Sequence, residues 1–295
     1  MKQALLAAAL AGIFAYPAGA DTAPKGYDAP LSPMPHNFRY TSFPEPVRWG
    51  RVAERYELRN GDCGGSDCGK PRYRAEVQEK PRRATARIDR DIWYGWSFRS
   101  PVLAPVPRDA ALRLVLGQWR LSPDLPPVIR LIQLGSDEGN FAACADVCTP
   151  SPDAGRDVVL HLDDMATTFD WGRDRNSGYI CRLFSTRAAQ SEWQDIVINT
   201  NFGSDDGGYL RIWVNEELVC DYRGRMAAHV STNPRRNRLQ HRRGIFSSYT
   251  KRWETRFGLA PKPTLVAYYD EFLSGTSRDA VDTRLRELNG SRPKD

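Results

Sequence analysis

The chain has 295 residues, a formal net charge of +6, 41% hydrophobic residues and 26% charged residues. That balance is ordinary for a folded globular protein and excludes a disordered or fibrous chain. No run of about 18 apolar residues is present, which excludes a membrane-spanning helix.

The N-terminus has the order of a cleavable export signal. Lys2 supplies the positive start, Ala4–Tyr16 the apolar stretch and Ala18-Gly19-Ala20 a small-residue cleavage site. Cleavage is expected after Ala20, with residues 1–20 removed and the mature protein secreted or periplasmic. Residues 21–46 are rich in proline and read as an extended lead-in. Residues 47–276 read as one β-sandwich domain, and 277–295 as a short helix and tail.

From Val47 onward short alternating runs dominate: VAERYELRN, RYRAEVQ, WYGWSFRSP, ALRLVLGQWRLS, PVIRLIQLG, RDVVLHLDD, GYICRLFST, WQDIVINTNF, GYLRIWVN, ELVCDYRG and PTLVAYYDEFLSG. Gly, Pro, Asn and Asp punctuate them. Many short strands without alternating long helices predict an all-β antiparallel sandwich or barrel. In ALRLVLGQWRLS, strict alternation puts Gln118 on one face with Leu114, Leu116 and Arg120. The last strand-like run precedes the one persuasive helix, with Ser277 as its cap and Val281, Leu285 and Leu288 on one stripe.

In GYLRIWVNEELVCDYRG, Leu210, Ile212 and Val214 share one face, and Tyr209, Arg211 and Trp213 the other. A tight turn at Asn215-Glu216 is expected between two strands. The apolar face belongs in a core. The other carries two aromatics and an arginine, which suits either a sugar-binding surface or ordinary cross-strand pairs.

Six cysteines in an exported chain point to disulfides. Cys63 and Cys68 bracket a glycine-rich loop, and Cys144 and Cys148 bracket three residues. Cys181 and Cys220 then join distant strands. A zinc site is the rival reading of the short spacings, disfavoured because no histidine lies beside them. The run PRRNRLQHRR gathers Arg235, Arg236, Arg238, Arg242 and Arg243, and such a run attracts anions. For an exported chain the anion expected is an acidic polysaccharide, with no nucleic acid; a monomer is expected.

RYELRNGDCG, RYRAEV, WYGWSFRSP, LGQWRL, WQDIVI, DDGGYLRIWVNEELVCDYRG, RRGIF and YYDEFLSG occur in this order over about residues 50–275. The ordered set resembles the polysaccharide lyases related to glucuronan lyase and heparin lyase I. The resemblance implies a jelly-roll β-sandwich of two antiparallel sheets with a concave groove. It also implies β-elimination on a uronate-containing polymer, with Tyr209, Arg211 and Trp213 lining the groove.

Elimination across a uronate removes the proton beside its carboxylate. A site must offset the carboxylate charge, supply a base and protonate the departing glycosidic oxygen. By the resemblance, Gln118 stands near the uronate carboxylate. Arg120 replaces a histidine found in many relatives, and Arg74 is a second carboxylate-binding candidate. Relatives carry Lys-x-Gly-x-Tyr where this chain has Arg242, Gly244 and Phe246. Arginine keeps the charge, but phenylalanine has no ionisable oxygen. His241, Tyr249 and Tyr209 are then the candidate bases. A binding protein on the same scaffold, without the chemistry, is the alternative that Phe246 favours. No cofactor is required. The resemblance leaves room for a structural calcium ion, with Asp270 as its ligand and Glu57 or backbone carbonyls completing the shell.

Overall fold

The computed structural model describes residues 23–32, 34–103, 113–121, 125–133, 157–163, 178–248 and 250–295. The predicted export signal, Cys144, Cys148 and Tyr249 lie outside the described residues. Two antiparallel sheets pack face to face. One runs β1 (Tyr27–Asp28), β4 (Arg72–Glu79), β14 (Arg238–Ser248), β7 (Arg113–Arg120), β8 (Ile129–Gln133), β9 (Asp157–Asp163) and β10 (Gly178–Ser185), with β5 (Ala86–Arg87) added to β14. The other runs β13 (Glu217–Arg223), β12 (Tyr209–Val214), β11 (Gln194–Thr200), β6 (Ile92–Arg99), β15 (Leu265–Gly275), β3 (Ala53–Leu58) and β2 (Phe38–Thr41). Of the sandwich or barrel that the strand spacing predicts, this is the sandwich, with the jelly-roll form that the resemblance implies.

Alternation in each strand sends one set of side chains between the sheets. Tyr56, Phe98, Leu116, Trp119, Ile198 and Ile212 are among those fully enclosed there. Burial of a side chain of this kind contributes about 1.5–3 kcal/mol. Leu210, Ile212 and Val214 face this core as expected, while Tyr209, Arg211 and Trp213 face outward. Asn215 and Glu216 have φ of 49° and 74°, as a two-residue hairpin turn of the primed type requires. The Cys181–Cys220 disulfide forms as expected, tying β10 of one sheet to β13 of the other. Cys63–Cys68 closes its short loop.

Three local expectations are corrected. The proline-rich lead-in is not outside the fold, because β1 and β2 within it pair with β4 and β3. The C-terminal helix starts later than expected. Asp282, not Ser277, caps α3 (Thr283–Leu288), accepting from the N–H groups of Arg284 and Leu285. Its stripe does not form a buried seam, since Leu288 is exposed while Arg286 is buried. The tail is fastened, with Asp295 accepting from the N–H of Arg51 at 2.7 Å and Lys294 N–H reaching Glu271 at 2.6 Å. Two further helices, α1 (Thr186–Ser191) and α2 (Thr250–Phe257), connect strands and carry no sequence signal strong enough to be read beforehand.

A register shift in β7 between Val115 and Gly117 decides what the outer face presents. Leu114, Leu116 and Trp119 all point to the core, while Val115 and Gln118 point outward. The expectation that Gln118 shares a face with Leu114 and Leu116 fails at this bulge. Gly244, in β14, has φ 124°, and a Cβ there would stand 2.3 Å from the Ala75 carbonyl oxygen and 2.8 Å from the Tyr56 ring. Only glycine lets β14 pass over Tyr56 at that point.

Candidate active site

The outer face of the eight-stranded sheet carries a row of polar side chains at one level. Cα register aligns Gln78, Arg242, Gln118, Arg130 and His161 across five neighbouring strands. Alternation places Arg242 outward because its neighbours His241 and Arg243 point into the core. Gln118 and His161 keep 1% exposure each. Arg242, Arg120 and Arg130 are only partly buried, so an anion arriving from solvent meets guanidinium groups before it meets the amide and the imidazole.

Glu76 organises one side of this row. Its carboxylate accepts from Gln118 Nε2 at 2.6 Å and from Arg74 Nη1 at 2.6 Å. Arg242 Nη1 stands 3.9 Å from the same carboxylate. Arg74 in turn donates through Nε to Asp67 at 2.7 Å, inside the Cys63–Cys68 loop. Burial alone would lower the Arg74 pKa, but the carboxylates of Glu76 and Asp67 hold it above its ordinary value. Arg74 is thus neutralised by two acids. It fixes Glu76, which fixes the Gln118 amide with one N–H left to direct elsewhere.

His161 lies on the other side. Its Nδ1 is 3.0 Å from Arg130 Nη2. Burial, with Arg130 and Arg113 adding to it, holds its pKa well below the ordinary value, so the ring is neutral. A guanidinium only donates, so Nδ1 accepts and the ring proton sits on Nε2. Burial and the nearby Arg242 push Arg120 down to about 10. Burial also lowers Arg242. Crowded, partly desolvated cations of this kind are stabilised by an incoming carboxylate.

Below the row lies an apolar patch of Val115, Ile132, Val159 and Phe246. The Arg74 guanidinium stacks on the Phe246 ring at 4.1 Å. Among the described residues whose side chains are placed, no tyrosine hydroxyl reaches this face. Tyr27, Tyr56, Tyr73, Tyr94 and Tyr269 are in the core or at its edge, and Tyr40, Tyr209, Tyr222 and Tyr268 belong to the other sheet.

Of the site residues expected from sequence, Gln118, Arg74, Arg120, Arg242 and Phe246 come together here. Tyr209, Arg211 and Trp213 do not. They are on β12, in the opposite sheet, so they cannot line the same face. Tyr209 donates to Asp91, and burial with that carboxylate pushes its pKa up to about 12. Trp213 stacks with Trp93 at 5.6 Å. His241 is also removed as a base. It is 2% exposed in the core, 4.3 Å from the Phe272 ring and 4.6 Å from Trp119. Burial and Arg243 hold its pKa well below the ordinary value. Asp270, the expected calcium ligand, accepts from the backbone N–H groups of Arg48, Trp49 and Glu271. Among the described residues, no group of three His, Cys, Asp or Glu is placed to hold a metal ion. Glu57 is engaged by Arg55 and Arg59.

The sequence pattern described as polysaccharide lyase matches residues 28–273. A structure of the endo-β-1,4-glucuronan lyase of the fungus Trichoderma reesei shares the fold, with TM-score 0.54 and 15% identity over 88% of this chain and 94% of that one. A marine alginate lyase of Zobellia galactanivorans is similar at TM-score 0.45 and 12% identity, over 76% of this chain and 77% of that one. No curated protein matches the sequence.

Proposed function

This chain belongs to the polysaccharide lyase family, and from that premise we propose that its eight-stranded face binds a uronate-containing polysaccharide and cleaves it by β-elimination in an oxidising, extracytoplasmic compartment. The observation that carries this reading is the cross-strand row Arg242, Gln118, Arg130 and His161. It assembles two guanidinium groups, a neutral amide N–H and a neutral imidazole N–H around one place on the sheet.

Such a set suits a carboxylate whose negative charge grows. As the proton beside it leaves, charge moves onto the carboxylate oxygens. Donors already in place stabilise that state without reorganising, and more strongly where water is excluded. Gln118, held by Glu76, and His161, held by Arg130, act as neutral donors. Arg242 supplies charge. In this assignment His161 does not remove the proton, because its Nε2 already carries one. The carbon proton passes to a base, and the departing glycosidic oxygen takes a proton as the C–O bond breaks. Of the three candidate bases, Tyr249 is the one that the positions of Tyr209 and His241 leave in play. The disulfides support export, since such bonds persist outside reducing compartments.

Phe246 favours a second reading, in which the face binds the polymer without cleaving it. It is buried beneath Arg74 in an apolar patch with no ionisable oxygen. Incubation with polyglucuronate, polymannuronate and polyguluronate separates the two. Ultraviolet absorbance from a new unsaturated chain end supports elimination. Saturable binding with no absorbance on any polymer supports the second reading.

A further inference from the structure

The fold joins two arginine-rich segments about 150 residues apart in sequence. The first, residues 81–90, holds Arg82, Arg83, Arg87 and Arg90, all exposed. The second, residues 234–238, holds the exposed Arg235 and Arg236, with Arg238 partly buried. They meet because β5 pairs with the start of β14, setting Arg87 opposite Arg238. Like charges placed directly opposite in a sheet are destabilising, and an anion bound between them relieves the repulsion. No ion pair joins any of these seven arginines to a carboxylate among the described residues. Surface arginines elsewhere on the molecule do find acids, as Arg39, Arg59, Arg211 and Arg278 show.

Between the two segments lies a cleft of about 770 Å³, with Arg87 and Arg90 on one side and Val230, Ser231, Thr232 and Pro234 on the other. Its one acid, Asp89, is already engaged by His229 at 2.9 Å and by the Ser204 hydroxyl at 2.9 Å. The cleft therefore presents unspent positive charge. Its Arg87 also lies opposite Arg238, on the strand that carries Arg242. Arg238, Gln240 and Arg242 alternate outward along β14, so Arg238 stands four residues, roughly 13 Å, from Arg242 on the same face.

We propose that this arginine surface is a docking site for the polymer outside the reacting row, and that it selects chains carrying an anionic group on successive sugars. The inference rests on the polysaccharide reading above and deepens it. A short oligomer held at Gln118 and Arg242 does not reach Arg82, Arg83, Arg235 and Arg236. A long polyuronate does, and gains from each charge it brings.

The test uses the full chain, with Arg82→Gln, Arg83→Gln, Arg235→Gln and Arg236→Gln combined. All four side chains are exposed, Arg82 and Arg83 in a turn and Arg235 and Arg236 in a short 3-10 helix, and circular dichroism checks that the variant folds. The dissociation constants of polyglucuronate and of its trisaccharide are measured by calorimetry over a range of salt. The polymer's constant should rise at least about tenfold with a flatter salt dependence, while the trisaccharide's does not follow. Equal effects on polymer and trisaccharide, or none on either, overturn the docking site. Tighter binding of duplex DNA than of the polymer overturns the assigned occupant. If polymer binding collapses in the variant but no uronate polymer is ever cleaved, elimination fails and the docking site stands. If cleavage proceeds and the variant binds polymer as the wild type does, elimination stands and the docking site fails.

Discussion

Arg130 Nη2 lies 3.0 Å from His161 Nδ1, across the β8–β9 pair. The contact fixes the tautomer, and with it the role, because an imidazole protonated at Nε2 donates there and cannot accept a proton. Loss of a donor aimed at developing charge typically lowers kcat about 10²–10³-fold. His161→Ala should fall in that range with a smaller change in KM, and His161→Gln, which keeps a neutral N–H, should recover part of the loss. A His161→Gln variant as inactive as His161→Ala would point to proton transfer by the ring itself.

The same contact sets a pH expectation. The folded-state pKa of His161 is depressed, so the ring stays neutral as pH falls through about 6.5, where a free imidazole protonates. Steady-state kcat/KM should show no inflection there that His161→Gln removes. By linkage, the His161 contribution to stability is present above about 6.5 and is lost as pH falls below it. Glu79 behaves oppositely. Burial pushes its carboxyl up to about 7, so its contribution is present below about 4.5 and is lost as pH rises through 7. Melting curves of wild type and Glu79→Gln should therefore diverge between pH 5 and about 8, with wild type losing ground at the upper end.

The Cys181–Cys220 bond joins the two sheets across a separation of 39 residues. The chain-entropy model gives roughly 4 kcal/mol for such a closure. Replacing both cysteines by alanine should lower Tm by roughly 8–16 °C. Activity measured well below the new Tm should persist, because both cysteines lie in the core between the sheets rather than on the outer face. Loss of activity without loss of structure would contradict the assignment of this bond to stability alone.

Phe246→Tyr adds one oxygen at the place where the resemblance expects a hydroxyl. If Tyr249 is the base, this change should alter turnover little, while Tyr249→Phe should abolish it. If the face only binds, Phe246→Tyr should create or raise cleavage of bound polymer. Turnover that survives Tyr249→Phe unchanged would place the base elsewhere.

Strand periodicity makes eleven of the fifteen described strands readable, and the core face of β12 with them, but not β1, β2, β5 or the central β14. What periodicity cannot carry is which sheet a strand joins. Tyr209, Arg211 and Trp213 were readable as outward-facing, yet the pairing of β12 with β11 and β13 puts them on the far side of the molecule from Gln118. Gln118 itself was reached through the resemblance, because alternation predicts the wrong face and only the β7 bulge turns it outward. His161 and Arg130 are the site residues that sequence reasoning misses. His161 left one faint sign, a histidine in alternation with Val159 inside RDVVLHLDD, but its partner Arg130 lies 31 residues away on the next strand. The arginine segment at residues 81–90 has no meaning legible in the sequence for the same reason. Its meaning comes from lying beside Arg238, and that neighbour is supplied by tertiary pairing.

If donors at Gln118, Arg242 and His161 drive elimination on a uronate polymer, the initial rate of unsaturated product from wild type and Gln118→Ala on polyglucuronate is the decisive measurement. Wild type should show a measurable rate, and the variant a loss of about 10²–10³-fold in kcat. A variant as fast as wild type, or a wild type that binds the polymer and releases no unsaturated product, would contradict it.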